Sequence, residues 1–344
     1  MKTCYLHIGH AKTGTSFLQN IMHTNDLAFE DAGIFVPWDY RPFKSWNCRQ
    51  LVAHNTNFAG NLAPVFHAIS EGNAEKAGQL LDYIFAGDRD VLLSTELVFY
   101  YALVLRKIIA KANERGFRVI VLAYVQRQDR AAIPSYYQNI RNHGYAKPPL
   151  SFLQETMGSR YFRYFDVLAD YAIAEPNQLI LRTFETEFFP DQDLVADFVA
   201  ALGIAIDPED FIRPDKQINA SLGLESLEVI RGLNLLQRPD LVNTVIANAP
   251  PGAPGSSRRS RDYYYTRHVA QFIQKEFMPA NPKLVETYLS DRSEAERAYW
   301  LAPPDMPSGK NILDVTGIAA TLALILREAP APKAPVAEIP SANA

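Results

Sequence analysis

Cysteine is scarce in this chain: Cys4 and Cys48 are the only two among 344 residues. That excludes a fold stapled by disulfides, and the pair has no metal-ligand spacing, so reduced thiols in a cytoplasmic setting and no bound metal are expected. An excess of basic charge is missing too. The 34 Lys and Arg face 38 Asp and Glu, a net charge of −4, so general attraction to nucleic acid is excluded and any anion site must be local. No apolar run reaches the roughly 18 residues that cross a bilayer. The best candidate, 312–326, contains Asp314, Thr316 and Gly317 and reads as a packed helix. The first apolar stretch, Cys4 to Ile8, stops at Gly9 and is too short for a secretory leader.

What remains is an ordinary globular composition, 48% hydrophobic and 21% charged, with enough chain for a sizeable core. Short apolar runs alternate with helical patterns. Strands are predicted at about 3–8, 90–94, 119–125 and 178–182, and helices at about 14–24, 73–86, 98–115, 130–142, 160–174 and 191–202. Val119 to Val125 is apolar without a break, as a central parallel strand covered on both faces requires. The pattern predicts an α/β three-layer sandwich around a parallel sheet. After about 205 the strand signal fades. Residues 36–62 read as a long irregular segment, 247–262 as a flexible loop with a basic end, and the Pro- and Ala-rich 329–344 as a disordered tail.

One segment carries chemistry. Gly9-His10-Ala11-Lys12-Thr13-Gly14-Thr15-Ser16 follows the first strand and opens a helix, where backbone N–H groups and the helix dipole make an anion site. Gly9 and Gly14 have the spacing of a triphosphate loop, G-x-x-x-x-G-K-[ST]. The lysine position of that pattern is Thr15, however, and the loop's cation is Lys12. A cation moved to the crown points to a different anion, held without the usual Mg²⁺ arrangement. The alternative is a glycine turn that merely joins strand to helix.

With its neighbours His7, Ile8, Leu18 and Gln19, this loop resembles the 5′-phosphosulfate loop of sulfotransferases that use 3′-phosphoadenosine 5′-phosphosulfate, notably the bacterial carbohydrate-type members. A second block resembles the same family: Arg127 ends the central strand and Ser135 lies eight positions on, in the next helix. The resemblance implies that Arg127 and Ser135 bind the 3′-phosphate. It also implies that Lys12, Thr13, Gly14, Thr15 and Ser16 hold the 5′ group, with Lys12 neutralising the leaving oxygen. Otherwise Arg127 is ion-paired near Asp129, and Ser135 is a small helix-packing residue. Leu92 to Glu96, Leu181 to Glu185, Asn219 to Ser221 and Asn281 to Glu286 are weaker echoes.

The implied reaction is sulfuryl transfer to an acceptor hydroxyl, on a saccharide or glycoconjugate, by a P-loop-like enzyme with no metal and no nucleic-acid partner. The implied domain covers 1–328, with a cofactor-binding core over about 1–205 and a helical, loop-rich part over about 206–328. Animal cytosolic members place a catalytic histidine after the second strand; here Glu96 stands there, so Glu96 is the first candidate base. Its plainer reading is a carboxylate complementing the following helix dipole. His54, in the irregular segment, is the second candidate base. His7 is expected to pack in its strand and His10 to approach the acceptor. Arg258, Arg259, Arg261 and Arg267 form either a closing basic group or a solvated loop. Trp38, Tyr40 and Trp46 either stack on sugar rings or anchor their loop. Competing functions are a P-loop kinase or NTPase, which a lysine at position 15 would have favoured, a nucleotide-binding protein without catalysis, and a sulfotransferase for lipids or small alcohols.

Overall fold

Strand β4 (Phe117–Val125) is buried at every position except Arg118, as its unbroken apolar sequence demands of a strand covered on both faces. In the computed structural model, which describes residues 1–43, 45, 47–48, 60–213, 222–249, 256–307, 313, 317–319 and 321–323, with backbone alone at 256–259, β4 pairs with β1 (Lys2–Gly9) and β5 (Gln178–Thr183). Strand β1 pairs in turn with β3 (Asp90–Thr95), and β3 with the two-residue β2 (Ile34–Phe35). All pairings are parallel, in the order β2-β3-β1-β4-β5. The four predicted strands stand within a residue or two of their expected bounds. Strand β2 is too short to leave a pattern.

Because β2 ends after two residues, the outer edge of β3 needs other partners. Asn61 supplies them: its Nδ2 donates to the Leu92 carbonyl at 3.1 Å and its Oδ1 accepts from the Ser94 amide at 2.7 Å. A side-chain amide thus continues the ladder where the strand stops.

The chain divides into two compact units. Among the described residues the first takes 1–135, 149–213 and 265–307. It holds the sheet, helices α1 (Thr15–Thr24), α2 (Asp26–Asp31), α3 (Ala63–Ser70), α4 (Ala74–Ile84) and α5 (Ala102–Glu114), and the first half of α6 (Gln128–His143). It also holds α7 (Pro149–Thr156), α8 (Tyr164–Ala172), α9 (Leu194–Leu202), and then α13 (Arg267–Glu276), α14 (Asn281–Tyr288) and α15 (Glu294–Leu301). The helical part expected after about 205 therefore contributes to the sheet-bearing unit as well.

Helices lie on both faces of the sheet. Right-handed crossovers put the β1-to-β2 connection on one face and the connections leaving β2, β3 and β4 on the other. Buried His7 marks the first face: its Nδ1 lies 2.9 Å from Ser94 Oγ, to which Gln19 of α1 also donates, and its ring meets Phe198 of α9 edge-on. His7 packs in its strand as expected, and burial pushes its pKa down to about 3.

The second unit contains the rest of α6, α10 (Leu224–Leu235), α11 (Pro239–Asn248) and α12 (Ser256–Tyr264). Glu228 of α10 accepts two hydrogen bonds from Arg231, at 2.9 and 2.6 Å, and one from the Tyr264 hydroxyl at 2.5 Å. The reading of 247–262 as a flexible loop needs correction: 256–264 form helix α12. Arg and Ser at helical spacing leading into buried Tyr264 outweigh the Gly-Pro signal before them. Residues 317–319 and 321–323 are helical, in line with the packed helix expected around 312–326. The tail at 329–344 lies outside the described residues.

Candidate functional site

Strand β1 is flanked on both sides by strands whose outgoing connections run over the opposite face. This is the switch point at which open α/β sheets bind ligands, outside the carboxyl ends of the strands. The Gly9–Ser16 loop stands there. A Cβ on Gly9 would come within 2.6 Å of Thr15 Oγ1 and 2.7 Å of Thr13 Oγ1, so only glycine lets the loop fold back on the strand end. Lys12 has φ 69° and Gly14 φ 73°. A left-handed lysine is uncommon and costs backbone energy, which points to a functional constraint.

The loop's hydroxyls divide by role. Thr13, fully buried, donates to the His10 carbonyl at 2.7 Å and braces the loop itself. Thr15 is 4% exposed, and its Oγ1 is buried without a hydrogen-bond partner. Ser16 is exposed in the first turn of α1, and so is Lys12 on the crown. An orphaned buried hydroxyl is costly unless a ligand completes it. The Gly9 cradle, the left-handed crown, the cation and the orphaned hydroxyl fit an anion at the start of α1.

His10 does not reach toward an acceptor. It is buried in a cage of Phe99, Tyr100, Tyr161, Phe162 and Tyr164 rings, with centroids 4.8 to 6.1 Å away. Its Nδ1 lies 2.9 Å from the Ala11 carbonyl and its Nε2 3.2 Å from the Tyr161 carbonyl. Burial lowers its pKa to about 4, against the opposing pull of those two carbonyls. A neutral ring has one N–H and satisfies one carbonyl at a time.

Glu96 follows β3 with its carboxyl half-buried. The Leu97 amide bonds Thr95 Oγ1 at 3.1 Å, and the Glu96 side chain caps no backbone N–H. Glu96 stands at the N-terminus of a single 3-10 turn, Leu97–Tyr100, and the α-helix follows from Ala102, so the dipole-complementing reading keeps only that short turn. Burial raises the Glu96 pKa and the nearby Lys12 ammonium pulls it partly back. Those two charges therefore feel each other across the mouth of the loop.

Tyr161, which sequence reasoning passed over as part of a helix at 160–174, joins these groups. Burial raises the pKa of its phenol, the buried Ser135 hydroxyl opposes that rise and the Glu96 charge adds to it, and its ring stacks on Tyr100 at 5.1 Å and 16°. The segment is a turn between α7 and α8. The signal available was the run Tyr161-Phe162-Arg163-Tyr164-Phe165, too aromatic for an exposed helix.

The structure thus brings Lys12, Thr15, Glu96 and Ser135 to one edge. Arg127 is engaged elsewhere. It is 2% exposed, bidentate to Asp129 at 2.7 and 2.9 Å, bonded to the Tyr299 carbonyl at 2.5 Å, and lies 4.3 Å from the Tyr299 ring centre. The ion-paired alternative for Arg127 is therefore the observed one. Asn281 forms a reciprocal amide pair with buried Gln128 at 2.8 and 3.1 Å, a structural role. Trp38 and Tyr40 are 3% and 0% exposed and anchor their segment; neither ring is available to stack on a sugar. His54, Trp46 and Asn219 to Ser221 lie outside the described residues, as do the side chains of Arg258 and Arg259. Arg267 is exposed.

A cavity of about 400 Å³ opens elsewhere in the first unit, lined by Arg182, Arg292, Glu187, Asp197, Asp291 and Glu296 among others. Four carboxyls against two guanidiniums disfavour an anion there. Among the described residues no group of three or more His, Cys, Asp or Glu is disposed to hold a metal ion, and no helix is long and apolar enough to cross a membrane.

No protein-family model matches the chain. Over 116 residues it is 31% identical to an uncharacterized protein of Archaeoglobus fulgidus, a match that spans 33% of this chain and 30% of that protein. Among solved structures, a chain from the molecular and structural characterization of the PezAT chromosomal toxin-antitoxin system of Streptococcus pneumoniae aligns with 70% of this chain and 87% of its own, at 13% identity and a TM-score of 0.26. Neither likeness names a reaction or a family for this chain.

Proposed function

We propose that the chain is a sulfotransferase, moving a sulfuryl group from 3′-phosphoadenosine 5′-phosphosulfate to a hydroxyl on a saccharide or glycoconjugate. The observation that carries this reading is the loop's exchange of roles. Where a triphosphate loop has its lysine stands the buried, unpartnered hydroxyl of Thr15, while the cation, Lys12, sits at the crown beside Glu96. Two charges of opposite sign at one mouth suit a transfer in which a proton leaves one partner and negative charge grows on the other.

In the proposed step the acceptor oxygen attacks sulfur in line. A new S–O bond forms to the acceptor as the S–O bond to the 5′-phosphate breaks. Glu96 takes the hydroxyl proton, and adenosine 3′,5′-bisphosphate leaves with the bonding pair. Lys12 meets the charge developing on the leaving oxygen, and the Thr15 hydroxyl and the first N–H groups of α1 hold the sulfuryl and phosphate oxygens. Catalysis of this kind is mostly positioning and preorganised charge. Ser135 would hold the 3′-phosphate. A guanidinium has five N–H donors, and Asp129 and Tyr299 take three from Arg127. The other two, on nitrogens of which one also faces Asp305 at 3.9 Å, would serve that phosphate. Cys4 and Cys48 are free and buried, which suits a reducing compartment such as the cytoplasm.

The test is calorimetric titration with adenosine 3′,5′-bisphosphate in EDTA, alongside ATP with Mg²⁺. Metal-independent binding of the bisphosphate, tighter than ATP and weakened by Lys12→Ala, supports the reading. Tight ATP–Mg²⁺ binding with no response to the bisphosphate returns the loop to the kinase-like class.

A further inference from the structure

Resting on the reading above, we infer that Arg130 is a second guanidinium of the 3′-phosphate site, and that the Asp305 carboxylate fills this site as an internal anion which the nucleotide displaces. Arg130 Nη2 lies 2.6 Å from Asp305 Oδ2, and Arg127 Nη2 lies 3.9 Å from Asp305 Oδ1. One carboxylate therefore faces two guanidiniums, each through a different oxygen. Arg127 immediately precedes α6 and Arg130 stands in its first turn. Both follow the carboxyl end of β4, the side on which open α/β sheets take ligands.

Asp129, Glu185 and Asp305 all act on this pair of cations, and they differ in freedom. Asp129 is fully buried and bidentate to Arg127. Glu185 accepts from the Tyr299 hydroxyl at 2.6 Å and from Gln126 at 3.3 Å. Asp305 is the surface group: its side chain is 48% exposed, on the irregular segment 302–307 that leaves α15. Buried Pro304 pins that segment, and Pro303 and Pro307 restrict its backbone further. The Asp305 side chain can turn into water and make room, while Asp129 and Glu185 stay held. The vacated fork suits phosphate as well as carboxylate, and a phosphate brings more charge and a third acceptor oxygen. Arg130 Nε is buried with no hydrogen-bond partner, so Asp305 does not exhaust that fork. The internal anion lowers the competent fraction of the protein and so weakens nucleotide binding by that factor.

Asp305→Asn keeps the size of the side chain and removes its charge. Calorimetry in EDTA would compare adenosine 3′,5′-bisphosphate with adenosine 5′-phosphate, which has no 3′ group. Asp305→Asn should bind the bisphosphate about 2- to 5-fold more tightly, the size of an exposed ion pair that no longer has to be broken. Arg130→Gln should bind it about 10- to 100-fold more weakly, the size of a lost hydrogen bond to a charged group. Adenosine 5′-phosphate should change less than about 2-fold in either variant, which also shows that the anion loop is still folded. Unchanged bisphosphate binding in either variant, weaker binding by Asp305→Asn, or equal changes for both ligands would make Asp305 and Arg130 a plain surface ion pair and overturn the inference. The sulfotransferase reading stands in that case as long as the unmodified protein binds the bisphosphate and Lys12→Ala weakens it. Binding by Asp305→Asn but not by the unmodified protein supports the inference and the reading together. No bisphosphate binding by either protein overturns both.

Discussion

Gly9 and Thr15 are in contact across the base of the anion loop: a Cβ at position 9 would stand 2.6 Å from Thr15 Oγ1. The strand end and the first residue of α1 are thereby closed on each other. Gly9→Ala should push against both Thr15 and the Thr13 hydroxyl that braces the His10 carbonyl. Overpacking of this kind costs about 1–3 kcal/mol. Urea unfolding would read that loss, and weaker bisphosphate binding should accompany it.

As the proposed base Glu96 must be ionised to work, and burial raises its pKa, with Lys12 pulling it partly back. Sulfuryl transfer should therefore fall as pH drops through that raised value, sooner than for an exposed glutamate. Glu96→Gln should lower kcat by about 10²–10⁴ while leaving bisphosphate binding nearly intact. A Gln variant with full kcat would remove Glu96 from the mechanism and turn attention to His54.

Lys12→Ala should reduce kcat by roughly 10²–10³, the usual effect of losing one preorganised donor to developing charge. The loop fold should survive, because an alanine keeps the backbone and the Lys12 side chain is exposed. Single-turnover kinetics separate this chemical effect from weaker cofactor binding.

Arg127→Ala should behave differently from Lys12→Ala. It strands the fully buried Asp129 carboxylate, and breaking a buried pair from one side costs about 3–5 kcal/mol. Removing both partners in Arg127→Ala/Asp129→Ala should restore part of that stability. Thermal unfolding of the single and double variants decides it; a single variant as stable as the unmodified protein would show that Asp129 finds another partner.

His7 and His10 have native pKa values of about 3 and about 4, both set by burial. An unfolded chain takes up those protons near pH 6.5, before the native state does. Stability is therefore complete above about pH 6.5 and declines as the pH falls toward 4, by up to about 1.4 kcal/mol per unit for each ring. Urea midpoints at a series of pH values would follow the decline. A flat profile would show that the aromatic cage around His10 accepts an imidazolium.

Much of this was legible because it is local. The order strand, glycine loop, helix is written into residues 2–24, and the position of Glu96 follows from where an apolar run stops. Ser135 was singled out by the family resemblance, eight positions after Arg127. What could not be read is tertiary. Nothing in the sequence around Asn61 announces that it finishes the edge of β3, and nothing around Arg127 shows that Tyr299 will lie over it from 172 positions away. Tyr161 was hidden by a helical pattern that breaks into a turn. For Trp38 and Tyr40 the sequence left stacking on a sugar and anchoring the segment both open, and burial decides for the anchor.

The strand order also has a consequence for synthesis. Strand β1 is made first, yet its neighbours in the sheet are β3 and β4. At roughly 5–20 residues per second, a ribosome needs on the order of ten seconds to travel from Gly9 to Asp90, and throughout that interval β1 has neither neighbour. The central strand, and the loop it delivers, therefore wait as an unpaired apolar segment in the nascent chain. They are assembled only when later residues close the sheet around them.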